Sequence, residues 1–279
     1  MSVLGPLTRL LLAAVLLGAV SELSSAVGER IARWHHPRPS AELPETLQTR
    51  RDMMTQLGEA RMLAISDPQR GERALTTLVT SARDPEIRSV AIENLVELAV
   101  REWPSGHQQA FLATVLPGAL ESALENQIPP SIILGQAALE SCWGRSRLAR
   151  EHHNLFGIKA HGSRPGVEYP TLEAGPSGVH IVRHRFRRYP DRAESIAEHG
   201  RLLADDARYA KARRHRAEWR RFLAEMAPTY ASDPTYALNV ARIIDRYNLA
   251  RWDSVVSPYG SLDLATRPTR EKRVRSPRG

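Results

Sequence analysis

Cysteine is almost absent from this 279-residue chain: Cys142 stands alone. A single thiol excludes an intramolecular disulfide and a cysteine-based zinc cage. The ten histidines show no ligand spacing with acids or with Cys142, so no metal is expected, and no cofactor motif is present. Zinc-finger spacing and the aromatic–basic motifs of nucleic-acid modules are also missing, so no nucleic acid is expected as partner despite the basic balance. No apolar run reaches the roughly 20 residues a spanning helix needs. The longest, "LLLAAVLLGAV" at Leu10–Val20, follows a lone Arg9 and precedes Ser24 and Ala26, spaced like a signal-peptidase site. Residues 1–26 therefore read as a secretory signal, with retention as a membrane anchor the alternative. The expected location is the periplasm or cell envelope.

Hydrophobic residues make up 42% of the chain, enough to bury a core, and the formal charge is +8. A basic balance suits an anionic partner without choosing one. Three prolines and a His-His pair mark residues 27–45 as a linker. Residues 46–102 read as a small helical region. Two of its segments open with Asp-Pro, at Asp67 and Asp84, an N-cap followed by a first-turn proline. A dense helical pattern starts at Trp103, and "QQAFLATVLPGALESALENQ" is expected to break at Pro117-Gly118. Between Gly162 and Tyr189 helical periodicity gives way to β-branched and aromatic residues around "EAGPSG", which reads as a β-hairpin. Helices resume with stripes at Ile196 and Leu203, at Trp219, Phe222, Leu223 and Met226, and at Tyr236, Val240, Ile243 and Ile244, the last behind an Asp233-Pro234 cap. Residues 254–279 read as a basic tail. Arg267 to Arg278 holds six basic residues against Glu271, either solvated or set against an anionic wall or membrane surface.

The chemistry concentrates in "GQAALESCWGRSRLAREHHNLFGIKA", Gly135–Ala160. Glu140 falls at the end of an apolar helix, beside Leu139 and Trp143. Desolvation there raises a carboxyl pKa and keeps the group protonated, as a general acid requires. A second carboxylate on a facing element completes a glycoside-cleaving pair. The hairpin offers Glu168 and Glu173.

The stretch also resembles the glucosaminidase family, family 73 of the glycoside hydrolases. The resemblance rests on Ala-Leu-Glu-Ser-x-Trp-Gly at Ala138–Gly144 and Asn-Leu-Phe-Gly-Ile-Lys at Asn154–Lys159. It continues with Thr-x-Glu at Thr171 and Glu173 and Phe-Arg-x-Tyr at Phe186, Arg187 and Tyr189, and ends with "TYASDPTYA" at Thr229–Ala237. These elements stand in family order across about residues 105–253, within a catalytic domain expected at 103–253. The resemblance implies an α+β, mostly α, lysozyme-like fold with a small β-hairpin lobe walling a cleft. It implies an endo-β-N-acetylglucosaminidase cutting the β-1,4 bond after N-acetylglucosamine in peptidoglycan glycan strands. Glu140 matches the catalytic acid and Glu173 the second carboxylate, with Glu168 its rival.

Tyr230 matches a cleft tyrosine that either orients the substrate or packs beside the helix cap. Phe156 and Asn154 belong to the same substrate-binding set, Phe156 lining the cleft or the core behind it. Cys142 stands where the family commonly has glycine and is expected to be a buried, inert thiol. A lytic transglycosylase or muramidase is the enzymatic alternative, disfavoured by "NLFGIK"; a wall-binding scaffold without catalysis is the other.

Overall fold

The computed structural model describes residues 47–175 and 178–256, with side chains left out at residues 47–48 and 172–180. The signal segment, the linker and the tail beyond Val256 lie outside the described residues. Three helices come first: α1 (Leu47–Ser66), α2 (Pro68–Ser81) and α3 (Pro85–Glu102). The two Asp-Pro starts act as read. Asp67 accepts from the Arg70 N–H at 3.1 Å and Asp84 from the Glu86 N–H at 2.9 Å. These side chains take up backbone donors that a helix start leaves open.

The three helices share one hydrophobic core with the rest of the chain, running from Leu57 to Val256. Trp103 joins the two parts: its indole donates to the Tyr247 carbonyl at 2.9 Å and its ring meets Trp252 edge-on at 5.5 Å. Arg251 adds a second tie, pairing with Glu102 and, at 3.5 Å, with Glu72.

Helix α4 runs unbroken from His107 to Asn126 with Pro117 inside it, which corrects the break expected at Pro117-Gly118. A proline within a helix costs about 3 kcal/mol through the lost hydrogen bond and the ring clash. Burial of Val115, Leu116, Pro117, Ala119 and Leu120 along the same stretch outweighs that cost.

Helix α5 (Pro130–Glu140) is the axis of the molecule. Every residue from Pro130 to Ala138 is buried, as expected of a helix apolar all round. Its first turn is held from the far end of the chain: Asp253 accepts from the Ser131 N–H at 2.9 Å and from Ser131 Oγ at 2.7 Å. Gly135 lets another helix, α10 (Tyr236–Arg246), come close, since a Cβ there would sit 3.0 Å from Val240 and Ile244. One end of α5 is thus fastened, and the other delivers Glu140 to the surface.

A short helix α6 (Arg147–His152) follows, then strands β1 (Gly166–Gly175) and β2 (Gly178–Arg187), paired antiparallel from Gly166↔Arg187 to Gly175↔Gly178. The hairpin expected between Gly162 and Tyr189 is present, and neither of its faces is clearly apolar: Ile181 is 73% exposed. The remaining helices are α7 (Arg192–Asp205), α8 (Ala210–Arg213), α9 (Trp219–Tyr230) and α10, closed by a 3₁₀ turn at Leu249–Val255. Helix α10 starts two residues after the expected Asp-Pro cap. Asp233 caps the preceding turn, accepting from the Thr235 N–H at 2.8 Å. The α+β, mostly α architecture with a β-hairpin lobe is the one expected. Among the described residues no helix is long and apolar enough to cross a membrane.

Candidate active site

Glu140 is the last residue of α5 and is only partly exposed. Burial pushes its carboxyl above the usual carboxylate range, and a hydrogen bond from Tyr236 partly opposes this. Desolvation is the larger effect, so the neutral form persists to higher pH than in an exposed glutamate. The Tyr236 hydroxyl donates to Glu140 and accepts from Gln136 Nε2 at 2.8 Å. Gln136 is fully buried one turn before Glu140 on α5, so the relay Gln136–Tyr236–Glu140 is set by helix geometry.

Aromatic rings continue this wall. Tyr230, at the end of α9, stacks on Tyr236 with centroids 5.5 Å apart and planes 27° apart. Burial, then the charge of the neighbouring Tyr236 and Glu140, holds the Tyr230 phenol well above its usual range, so it stays a neutral donor. His199 of α7 meets Tyr230 edge-on at 6.0 Å and stacks on Phe156 at 3.8 Å. Burial pulls the His199 imidazole down to about 3, which leaves it neutral at any ordinary pH. The chain Phe156–His199–Tyr230–Tyr236 therefore ends on Glu140 and carries no competing charge.

The turn after Glu140 is unusual. Cys142, Trp143 and Gly144 take positive φ in succession, at 51°, 59° and 74°. Left-handed backbone costs an L-residue roughly 1–2 kcal/mol, and local bonds hold it here. Ser141 Oγ donates to the Ala137 carbonyl at 2.5 Å and accepts from the Gly144 N–H at 2.6 Å, and the Trp143 N–H reaches the Ala138 carbonyl at 2.8 Å. The left-handed step turns Cys142 out, so the thiol expected to be buried is exposed. It also gives the physical reason for glycine at this place. Trp143 folds back against Phe111 and Tyr247, at 6.0 and 5.1 Å, as a structural residue.

Asn154 is 1% exposed and spends its amide on the backbone. Its Nδ2 donates to the carbonyls of Ile158 at 2.9 Å and Arg187 at 3.0 Å. Its Oδ1 accepts from the N–H groups of Phe156 at 3.3 Å and Ile158 at 3.1 Å. No hydrogen-bonding capacity is left for a sugar; the side chain pins the 154–158 loop to β2. Phe156, 4% exposed, lies in the hydrophobic core rather than on the surface.

The hairpin docks beside this turn. The Tyr169 hydroxyl donates to Glu151 of α6 at 3.2 Å, and the ring packs edge-on to His152 at 5.8 Å and to Phe186 at 6.5 Å. Arg187 closes the base of β2 through a pair with Glu198 of α7 at 2.8 Å. Of the two candidate second carboxylates, Glu168 is exposed and paired with Arg183 at 3.3 Å. Glu173 lies opposite His180 in the register, at an odd position of β1 like Tyr169 and Thr171; its side chain lies outside what is described. Among the described residues no three His, Cys, Asp or Glu side chains group as metal ligands.

Two groups of this site escape sequence reasoning. Tyr236 sits within the motif Thr229–Ala237 but reads as part of a core stripe, and its partner Glu140 is almost a hundred positions away. His199 gives no signal at all, because its role depends on the ring it stacks against.

Comparison with known proteins bears on this arrangement. Residues 116–249 match the glucosaminidase family profile, described as mannosyl-glycoprotein endo-beta-N-acetylglucosaminidase. The exo-glucosaminidase LytG of Bacillus subtilis is 28% identical over 183 residues, 64% of this chain and 65% of that protein. The peptidoglycan hydrolase FlgJ of Escherichia coli is 34% identical over 167 residues, 56% of this chain and 53% of that one. The chain thus spans less than two thirds of the length of either relative. The solved catalytic domain of the autolysin Auto from Listeria monocytogenes is 31% identical, covering 56% of this chain and 94% of that domain with a TM-score of 0.49. Glu140, the hairpin and the Tyr230–Tyr236 pair all fall inside the matched segment, and residues 116–249 are thus a domain of the glucosaminidase family.

Proposed function

We propose that this protein is a peptidoglycan hydrolase, an endo-β-N-acetylglucosaminidase that cleaves the β-1,4 bond after N-acetylglucosamine in wall glycan strands. The observation that carries the reading is Glu140, a carboxyl raised by burial at the partly exposed end of a helix buried from Pro130 to Ala138, and hydrogen-bonded by Tyr236. A carboxyl so placed gives its proton to the glycosidic oxygen as the bond breaks. Glu173 is the second carboxylate, activating the water that attacks the anomeric carbon. Its odd position in β1 supports it over Glu168, because the odd residue Tyr169 packs on α6, the helix that follows the Glu140 turn.

Tyr230 contributes its neutral phenol as a hydrogen-bond donor at the cleft edge. Phe156 and Asn154 serve the substrate indirectly, one backing the aromatic wall and the other holding the loop to the hairpin. The unit that does this work is residues 103–253 with the terminal turn, braced by the helices of 46–102 through Trp103 and Arg251. A wall substrate places the protein in the cell envelope, reached by export through residues 1–26, and gives the basic tail an anionic surface to meet.

Mass spectrometry of peptidoglycan digested by residues 27–279 tests the reading. Fragments with N-acetylglucosamine at the reducing end are expected. Reducing-end muramic acid or anhydromuramic ends would overturn it.

Tyr236 supplies a second test. Its hydrogen bond favours the ionised carboxylate and so lowers the Glu140 pKa. Tyr236→Phe removes that bond, and the Glu140 pKa rises further. An acid works protonated, so activity falls as pH climbs through its pKa. In Tyr236→Phe this fall is expected at higher pH than in the parent, with the peak rate reduced by up to about tenfold, the equivalent of one hydrogen bond. A pH profile of kcat/KM on solubilised glycan measures both effects, and an alkaline limb moved to lower pH would refute the relay.

A further inference from the structure

A further concave site lies toward the C-terminal end of α10. It has a volume of about 250 Å³ and is lined by Gln108, Trp143, Arg242, Ile243, Arg246 and Tyr247. Tyr236 marks the catalytic end of α10. Arg242 and Arg246 stand six and ten residues further on, about 9 and 15 Å along the axis at 1.5 Å per residue.

Arg242 and Arg246 are both exposed and one helical turn apart, where like charges repel. Among the described residues no acid pairs with either. Asp245, the acid between them, is bound to Arg220 at 2.7 Å. Arg246 lies over the Tyr247 ring at 5.8 Å. Beneath the two guanidiniums the wall is apolar and rigid. Trp143 is held by its left-handed backbone, by its ring contacts to Phe111 and Tyr247, and by His107 Nε2, 2.6 Å from its carbonyl oxygen. Two unpaired planar cations above an aromatic floor suit a carboxylate, which guanidinium binds in bidentate fashion, attached to an apolar body. The volume falls below the roughly 300–1,000 Å³ of sites for drug-sized ligands, so the body is small.

We propose that this pocket is a carboxylate-binding site, separate from the catalytic cleft, for the carboxyl end of a short peptide or acylated amino acid. Its ligand touches Trp143, three residues from Glu140 in the same turn. Two sources share this chemistry: the peptide carried by the wall strand and a free small molecule.

The test uses the full chain with labelled tryptophan indoles and follows the Trp143 N–H signal by NMR. Acetyl-alanyl-alanine is expected to shift that signal saturably, and its carboxamide is not. Arg242→Gln should weaken binding at least fivefold and Arg242→Gln/Arg246→Gln abolish it, while Arg221→Gln, an exposed arginine elsewhere, leaves it unchanged. The proposal is overturned if the carboxamide binds as well as the acid, if inorganic phosphate binds as tightly as the peptide, or if the double variant binds normally. Given binding, the double variant also names the source. Slower digestion of peptide-bearing wall with normal digestion of peptide-free glycan identifies the wall peptide, and equal rates on both identify a free molecule. Loss of all hydrolysis by the parent chain would count against the catalytic reading alone, because the binding signal does not depend on turnover.

Discussion

Glu140→Gln is expected to reduce hydrolysis of wall glycan by roughly a hundredfold to ten-thousandfold, the range that a positioned general acid contributes. The substitution keeps shape and the capacity to accept a hydrogen bond from Tyr236, and removes only the transferable proton. The leaving oxygen must then depart as an alkoxide, which water in a partly closed cleft stabilises poorly. Zymography against intact wall gives the first readout, and turnover on solubilised strands gives the magnitude. Clearing equal to the parent would remove the basis of the enzymatic reading.

The same variant makes an opposite prediction for stability, which separates lost chemistry from lost fold. Burial raises the Glu140 pKa above its unfolded value of 4.5. Below that value the carboxyl is neutral in both states and its burial carries no charge penalty. As pH rises through the folded pKa the ionised form is disfavoured in the native state, and that stability is lost. Glutamine never ionises. Glu140→Gln is therefore expected to melt at or above the parent near neutral pH, with the difference closing in acid. An inactive variant with a raised melting temperature would be hard to explain by unfolding.

How much of this was legible in the sequence differs from feature to feature for physical reasons. The helix ending at Glu140 and the hairpin after Gly162 are local patterns, one of period and one of its absence, and both stand where expected. The five motif fragments gave the family because their order survives divergence. Pro117 misled because its cost is local, whereas the burial that outweighs it comes from helices distant in sequence. Cys142 misled because a residue's exposure at a turn depends on backbone hand, and nothing in "LESCWG" states a positive φ. Motif membership points Asn154 at the substrate, yet its four backbone partners make it a clamp. Tyr236 was hidden inside a helix stripe whose other members are core. For Pro117 and Tyr236 the missing information is a contact between segments far apart in the chain.

The second large effect concerns the other carboxylate. Glu173→Gln is expected to lower turnover by roughly a hundredfold or more, the usual contribution of a general base, while Glu168→Gln stays within about twofold of the parent. Glu168 is exposed, and its pair with Arg183 spans 3.3 Å between side chains that are both about two-thirds in solvent. Such a pair contributes about 0–1 kcal/mol, so its loss should leave the hairpin folded. Strand alternation separates the two acids, since positions five apart fall on opposite faces of β1. Tyr169 shares the odd parity of Glu173 and is bonded to Glu151 of α6, so the Glu173 side of the strand is the one tied to the segment that leaves Glu140. If Glu173 activates water on the face opposite the leaving oxygen, the β bond is opened with inversion, and the first sugar released carries the α configuration. Proton NMR of the initial product reads this directly. Activity lost in Glu168→Gln and kept in Glu173→Gln would transfer the role to Glu168 and reverse the assignment of the hairpin's catalytic face.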